Sequence, residues 1–315
     1  MRSYTDDQLI LAARLYFLDG LSQTQVGKLV HVSQSKVSRM LALAQERGIV
    51  RVTVPEYEPR ELSFEGALKR ALGVEAVVVR SVPGLRIKEV RQTLGYFAAP
   101  VVSGWMKSAE VVAMAGGRTL RALAEHMKPS GTPWPITFAQ AMGHIVSSPG
   151  AYDAVELCRL LAKSWDGRVL TLNTPAILPE PETCRRLLGL DQIRQVLEQL
   201  AQAGVALVGI GTLENSVFVE HKILTARDTG ALRAAGAVGE ILGRFFDAAG
   251  EECATPLQRR VVSLRLSELR LIARRVAVVA GPDRASAVLA AVRGGLVNSL
   301  VIDEQCAAAL LESAK

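Results

Sequence analysis

Apolar residues in the first 50 positions recur at the spacing of short amphipathic helices. The first predicted helix begins at a capping box formed by Thr5 and Gln8 and ends at Gly20. Its apolar face consists of Leu9, Ala13, Tyr16 and Phe17. A second capping box, formed by Ser22 and Gln25, starts a second helix. The apolar face behind it consists of Val26, Leu29 and Val30.

A third helix is predicted directly after a tight turn over residues 31–33. The Ser33 hydroxyl can accept a hydrogen bond from an N–H group of the first turn of this helix. The inward face consists of Val37, Leu41 and Ala44. Two short helices joined in this way, the second with a polar leading edge, are typical of a helix-turn-helix unit that enters the major groove of DNA. Gly48 ends the third helix, and residues 49–54 alternate like a short strand.

The outer face of the third helix carries side chains that hydrogen-bond base edges and phosphates. Residues 20–54 also hold five basic side chains against the single acid Glu46, a balance suited to phosphate binding. The predicted DNA contacts are Gln23, Ser33, Gln34, Ser35, Lys36, Ser38 and Arg39. A three-helix module for protein interaction is the alternative, and the polar outer face disfavours it.

From residue 61 onwards, a predicted helix over 61–72 is followed by short apolar runs that alternate with helical segments. Such runs indicate a parallel sheet covered by helices on both faces. We therefore predict an α/β chain with a helix-turn-helix domain over 1–54, a linker over 55–60 and a larger doubly wound, mostly parallel domain over 61–315. The predicted strands are 74–80, 111–115, 136–141, 168–172, 205–210, 276–280 and 300–302. The predicted helices between them include 86–106, 118–127, 151–165, 183–202 and 284–293.

Three of the predicted strands end in glycine-rich turns, over 115–120, 209–212 and 281–284. Ligands bind at the carboxyl ends of the strands in sheets of this class. Glycine lets the backbone approach a ligand closely, and the N–H groups at the start of a following helix favour an anion. Arg118 and Thr119 can add a charge and a hydroxyl, so a phosphorylated small molecule is the expected ligand.

Composition and motif spacing argue against several other functions. The net charge of +6 is compatible with nucleic acid binding. No Walker A, GxSxG or complete dinucleotide-binding pattern is present. The four histidines and four cysteines are isolated in the sequence, so neither a metal nor a cofactor is expected. The most apolar region, 97–114, is interrupted by Lys107 and Glu110. We therefore expect a cytoplasmic protein without a membrane span.

The order of these features resembles that of the SorC/DeoR-type sugar-responsive transcriptional regulators over nearly the whole chain. In the N-terminal part, the resemblance lies in the segments 20–23, 37–41 and 46–49. In the larger domain, it lies in 116–120, 209–213, 236–247 and 290–298. The run over 236–247 is the most specific of these segments.

The resemblance implies a C-terminal sensor domain that is related in fold to sugar-phosphate isomerases. Binding of a phosphorylated sugar or related metabolite would change operator binding, in a homodimer or homotetramer. Gly116–Thr119 would hold the phosphate, and Glu240 would meet sugar hydroxyls. The full set expected to bind the effector is Gly116, Gly117, Arg118, Thr119, Gln140, Gly209, Gly211, Glu240 and Arg284.

Two other functions stay open at this point. A sugar-phosphate isomerase with a DNA-binding appendage would need a positioned acid–base pair, for which Glu240 and Asp247 are the candidate carboxylates. An architectural DNA-binding protein would use the larger domain only to form oligomers. Neither the effector nor the operator sequence follows from the amino-acid sequence.

Overall fold

The computed structural model describes residues 4–107, 109–132, 134–146 and 150–315. The chain divides into two compact units, Met1–Glu58 and Pro59–Lys315. The boundary between them falls within the predicted linker over 55–60. Among the described residues, no helix combines the length and the apolar character needed to cross a bilayer.

Three helices form the first unit around a small apolar core. They are α1 (Asp6–Ala13), which a π-helical turn over Arg14–Leu18 extends, α2 (Gln23–Leu29) and α3 (Gln34–Glu46). The predicted caps are confirmed, because Thr5 and Ser22 form capping boxes and the Ser33 hydroxyl accepts from the Lys36 N–H. The buried core residues are Leu9, Ala12, Ala13, Val26, Val37, Met40, Leu41 and Ala44.

Three local predictions for this unit are wrong. Phe17 is 44% exposed, because the π-helical turn holds more residues per turn and rotates it off the apolar face. Leu29 is 59% exposed, because the buried side of α2 is centred on Gly27, where an added Cβ would lie 2.7 Å from the Val32 carbonyl oxygen. Residues 49–54 form no strand, since the described part of this unit offers no neighbouring strand to pair with.

A seven-stranded sheet, parallel throughout, forms the centre of the second unit. The strands in chain order are β1 (Glu75–Val79), β2 (Val111–Met114), β3 (Thr137–Gln140), β4 (Arg168–Leu170), β5 (Val205–Val208), β6 (Gly239–Ile241), β7 (Arg244–Phe246), β8 (Arg274–Val279) and β9 (Ser299–Asp303). All but β6 and β7 belong to this sheet, in the spatial order β1-β9-β8-β5-β2-β3-β4. All seven predicted strands are therefore confirmed. Every residue of β2, β5 and β9 is buried, so both faces of the sheet are covered.

The helices of the second unit connect these strands. They are α4 (Leu62–Leu72), α5 (Ile87–Trp105), α6 (Arg118–Ala124), α7 (Ala154–Trp165), α8 (Pro181–Leu188), α9 (Asp191–Ala201), α10 (Val217–Glu220), α11 (Ala226–Ala234), α12 (Leu266–Leu269), α13 (Ala285–Arg293) and α14 (Glu304–Ser313). Short 3-10 turns cover Pro256–Arg260 and Pro282–Arg284. The single helix predicted over 183–202 is instead the pair α8 and α9, which a break at residues 189–190 separates.

The strands β6 and β7 form an antiparallel hairpin that the sequence pattern did not reveal. Leu242 and Gly243 join them, and both have left-handed backbone conformations, with φ of 56° and 75°. This two-residue turn is the kind that suits the twist of a hairpin. A leucine in this conformation costs about 1–3 kcal/mol, and the usual Asn-Gly or Asp-Gly signal is absent. The sequence pattern therefore did not predict the hairpin.

Candidate functional site

A cavity of about 330 Å³ lies at the carboxyl ends of the central strands. The turns that follow β2, β3 and β5 and the last residues of β8 contribute to its wall. The strand β2 lies between β3 and β5, so the direction in which the chain winds reverses there. Open α/β sheets bind their ligands at such switch points. Eight of the nine predicted effector residues line the cavity: Gly116, Gly117, Arg118, Thr119, Gly209, Gly211, Glu240 and Arg284.

The turn after β2 has a geometry that requires glycine at two consecutive positions. A Cβ added to Gly116 would lie 2.6 Å from the Tyr152 carbonyl oxygen. Gly117 has a φ of 137°, and its N–H donates to that same oxygen at 2.8 Å. The helix α6 begins at the next residue, Arg118. The first N–H groups of a helix have no acceptor within the helix, so this turn presents backbone donors together with the Thr119 side chain at the cavity.

The β6–β7 hairpin brings Glu240 to the same cavity. Gly211 and Glu240 exchange two backbone hydrogen bonds, at 3.0 and 2.9 Å, so the turn after β5 holds the start of the hairpin in place. The Gly243 N–H donates to the Glu240 carboxylate. Burial raises the pKa of Glu240 to about 7, and the bond from Gly243 opposes this rise. The cavity therefore holds a carboxyl group that can exist protonated or ionised near neutral pH.

Three arginines line the cavity, and two of them are paired within the chain. The Arg118 guanidinium donates to both carboxylate oxygens of Glu220 on α10, at 2.6 and 2.8 Å. The Arg284 guanidinium contacts the Asp283 carboxylate at 3.0 Å and donates to the Ala280 carbonyl oxygen at 2.9 Å. Each of these two guanidinium groups therefore already contacts a carboxylate.

The third arginine, Arg91 on α5, was not predicted from the sequence. Its Nε atom is buried and has no hydrogen-bond partner among the described residues. Burial lowers its pKa, and the positive charges of Arg284 and Arg118 lower it further. Helical periodicity places Arg91 on a helix but gives no sign of the cavity. Further polar residues of the wall that the sequence did not single out are Tyr152, Asp153, Asn215 and His221.

Two other candidate residues do not line the cavity. Gln140 at the end of β3 is fully buried, and its Oε1 accepts from the Leu172 N–H at 2.9 Å. Its side chain therefore connects β3 to the segment after β4 instead of reaching the cavity wall. Asp247 accepts from the Ala249 and Glu251 N–H groups at 2.9 and 3.0 Å, which closes the turn after β7. Asp247 and the Gln140 Oε1 therefore have local structural partners, whereas the buried Gln140 Nε2 has none among the described residues.

The predicted DNA contacts lie around the start of α3. Ser33, Gln34, Ser35, Lys36, Ser38 and Arg39 are exposed, and Gln23 is half-buried. The structure brings Gln23 and Gln34 together, since the Gln34 Nε2 donates to the Gln23 Oε1 at 2.9 Å. Arg47, one of the five basic residues of the predicted patch, forms an ion pair with Asp6 at 2.6 Å. Its charge is therefore partly neutralised, and the exposed polar surface concentrates at the leading edge of α3.

Comparisons with known proteins agree with this architecture. The family model described as "Putative sugar-binding domain" matches residues 59–312. The deoxyribonucleoside regulator of Bacillus subtilis (strain 168) is 28% identical over 303 residues, covering 96% of each chain. The transcriptional regulator LsrR of Escherichia coli (strain K12) is 28% identical over 316 residues, covering 98% of this chain and 95% of LsrR.

Solved structures with the same fold include two named regulators. A DeoR family transcriptional regulator from Listeria monocytogenes, 27% identical, covers 79% of this chain and 98% of its own length with a TM-score of 0.72. The full-length sorbitol operon regulator SorC from Klebsiella pneumoniae, 23% identical, shares the fold over 98% of this chain and all of its own length, with a TM-score of 0.77. On these matches, the chain belongs to the SorC/DeoR-type family of sugar-binding transcriptional regulators.

Proposed function

We propose that this protein is a DNA-binding transcriptional regulator whose operator affinity is controlled by a phosphorylated sugar or related metabolite. The observation that carries the proposal is the arginine-lined cavity of about 330 Å³ at the switch point of the sheet. The relatives named above are called regulators, which supports the DNA-binding half of the proposal.

In this proposal, α3 enters the major groove of operator DNA. The exposed Gln34 and Arg39 are suited to base edges, and Ser35, Lys36 and Ser38 are suited to phosphates. The hydrogen bond between Gln34 and Gln23 would fix the orientation of the Gln34 amide before DNA arrives, which lowers the cost of ordering it.

The effector would bind with its phosphate beside the turn Gly116–Thr119 and its sugar hydroxyls towards Glu240. An ionised carboxylate accepts hydrogen bonds from hydroxyls, and a protonated one can also donate. The cavity would hold one compact ligand, because sites for small ligands have volumes of this order. No metal or cofactor takes part in the proposed mechanism.

The effector can change DNA affinity only if it binds the DNA-competent and DNA-incompetent arrangements with different affinities. In a homodimer or homotetramer, the interface that sets the spacing of two copies of α3 would be the element with two arrangements. Two half-sites about one helical turn apart, or a multiple of it, require that spacing.

Fluorescence anisotropy with the DNA upstream of the protein's own gene tests the proposal. The titration is repeated with a panel of sugar phosphates, and the expected result is a change in DNA affinity with at least one of them. The variant Arg39→Ala should weaken DNA binding while it keeps the effector-induced melting shift. Arg159→Ala, at an exposed arginine on α7, serves as its control. If no DNA fragment is bound at low salt, the proposal fails.

The enzyme alternative has a separate test. Purified protein incubated with pentose and hexose phosphates would interconvert aldose and ketose forms if the cavity were catalytic. We expect no turnover, because the relatives named above are called regulators and because Asp247, the candidate partner of Glu240, is engaged in its own turn.

A further inference from the structure

We infer that Arg91 binds the phosphate group of the effector. The inference rests on the proposed function, because it concerns the ligand of the same cavity. It adds a binding residue on α5, outside the family-like motifs.

Arg91 lies where two cavities meet. Besides the cavity of about 330 Å³, a second cavity of about 410 Å³ is lined by residues from the start of α5 and from the turn after β8. The two cavities share Arg91, Asn215 and Arg284. These three residues can therefore contact a ligand that occupies either cavity.

The partners of the three cavity arginines differ. Arg118 pairs with Glu220, and Arg284 pairs with Asp283. Arg91 forms no ion pair and no side-chain hydrogen bond within the described ranges, and its Nε is buried. A buried donor without an acceptor destabilises the folded state, and it does so more when it is charged. Arg91 is therefore the cavity arginine whose hydrogen-bonding capacity is left for a ligand.

The electrostatic surroundings of Arg91 favour an anion. Arg284 and Arg118 repel its positive charge, and their effect exceeds the opposing attraction of Asp283 and Tyr152. The acids in the wall of the first cavity, Asp153 and Glu240, form no ion pair with Arg91 in the described part of the chain. A neutral sugar would leave the charge of Arg91 without a partner, since Arg118 and Arg284 already contact carboxylates.

A phosphate monoester matches this arrangement chemically. It carries close to two negative charges at neutral pH and three oxygens that accept strong hydrogen bonds. The planar guanidinium presents donors in a fork that fits two phosphate oxygens at once. The amide of Asn215, which already donates to Asp283 at 2.8 Å, fixes the orientation of the neighbouring turn beside this site.

Thermal unfolding followed by tryptophan fluorescence tests the inference, with inorganic phosphate as the probe. Sodium phosphate and sodium sulfate are compared with sodium chloride at matched ionic strength. The variants are Arg91→Gln, Arg91→Lys and, as a matched control, Arg194→Gln on the exposed face of α9. General salt exclusion from the protein surface raises the melting temperature of all four proteins alike, so only the difference between them is informative.

Phosphate should raise the melting temperature of the wild type and of Arg194→Gln. The apparent affinity for phosphate should fall at least about tenfold in Arg91→Gln, since hydrogen bonds to a charged group are lost. The apparent phosphate affinity of Arg91→Lys should lie between those of the wild type and Arg91→Gln. Without phosphate, Arg91→Gln should melt no lower than the wild type, because no ion pair is broken. A purely structural role for Arg91 would give a lower melting temperature instead.

Two results would overturn the inference, and only the first of them leaves the proposed function intact. One is a full phosphate response in Arg91→Gln. The other is a wild type that responds to neutral sugars but not to phosphate or sulfate, since the effector would then be uncharged. If the wild type responds to no sugar, sugar phosphate or inorganic anion, both the inference and the effector half of the proposed function fail.

Discussion

Glu240 places a titratable carboxyl group in the cavity wall, and the variant Glu240→Gln tests its charge state. Burial raises the pKa of this carboxyl from its ordinary value of 4.5 to about 7. Glutamine keeps an oxygen that can accept from the Gly243 N–H, but it does not ionise. The substitution therefore removes the titration and leaves the volume of the side chain almost unchanged.

The difference in pKa determines the sign and the size of the effect. Between pH 4.5 and about 7, the unfolded chain has released the proton that the folded protein still holds. Unfolding then releases a proton, so stability falls as the pH rises through this window, and the full penalty is present above it. The shift corresponds to about 3 kcal/mol at about 1.4 kcal/mol per pKa unit, which the partial exposure of the side chain reduces to about 1–3 kcal/mol.

As the pH rises from about 4.5 to about 8, the free energy of unfolding of the wild type should fall by about 1–3 kcal/mol relative to that of Glu240→Gln. Urea unfolding at both pH values measures this difference. All three tryptophans, Trp105, Trp134 and Trp165, lie in the second unit, so their fluorescence reports on that unit alone. Glu198→Gln, an exposed acid on α9, is the control and should follow the wild type.

Parallel pH profiles for the wild type and Glu240→Gln would refute the reasoning, because the carboxyl would then titrate alike in the folded and unfolded states. A variant that is less stable than the wild type at high pH would also refute it. That result would mean that the ionised carboxylate makes a favourable contact in the cavity.

Three further predictions concern single substitutions. Arg39→Ala should weaken operator binding by about 1–3 kcal/mol in an anisotropy titration with an unchanged melting temperature, and full binding would contradict its assigned role. Gly116→Ala should lower the melting temperature of the second unit by about 2–8 °C, because the new Cβ would lie 2.6 Å from a backbone oxygen. Gly104→Ala, with nothing within 4 Å, is its control, and equal melting of the two variants would count against the close approach. Glu220→Gln should raise the affinity for phosphate by up to about fivefold in calorimetry, because an exposed ion pair with Arg118 contributes up to about 1 kcal/mol. Weaker phosphate binding would show that Glu220 does not compete with phosphate for Arg118.

Several structural features could be predicted because they depend on residues close together in the chain. The Ser22 and Ser33 caps form hydrogen bonds to N–H groups three residues away, so the sequence pattern contains both partners. The strands of the sheet are short apolar runs bounded by glycine and polar residues, and all seven were identified on this basis. The glycine turn after β2 was also visible, because close backbone approach limits the choice of residue there.

Other features depend on details that the pattern does not encode. Phe17 is exposed because of one π-helical turn, since a change in the number of residues per turn alters which face of the helix the later residues occupy. The Leu242-Gly243 turn uses a residue that rarely adopts a left-handed conformation, so the hairpin carrying Glu240 was missed. Gln140 is the last residue of β3, at the carboxyl end where the cavity lies, yet its Oε1 accepts a hydrogen bond from the Leu172 N–H.

The sequence by itself determined the class of fold, the helix-turn-helix unit, and the glycine turns at the ends of the strands, because local spacing and side-chain chemistry specify them. Only the tertiary structure decided which distant groups share the cavity. Arg118 pairs with Glu220 across 102 positions in the chain. Arg91 lines the same cavity as Arg284, although the periodicity of its helix does not indicate which residues lie beside it. Helical spacing defines which face a side chain occupies, but packing of the whole sheet decides what that face contacts.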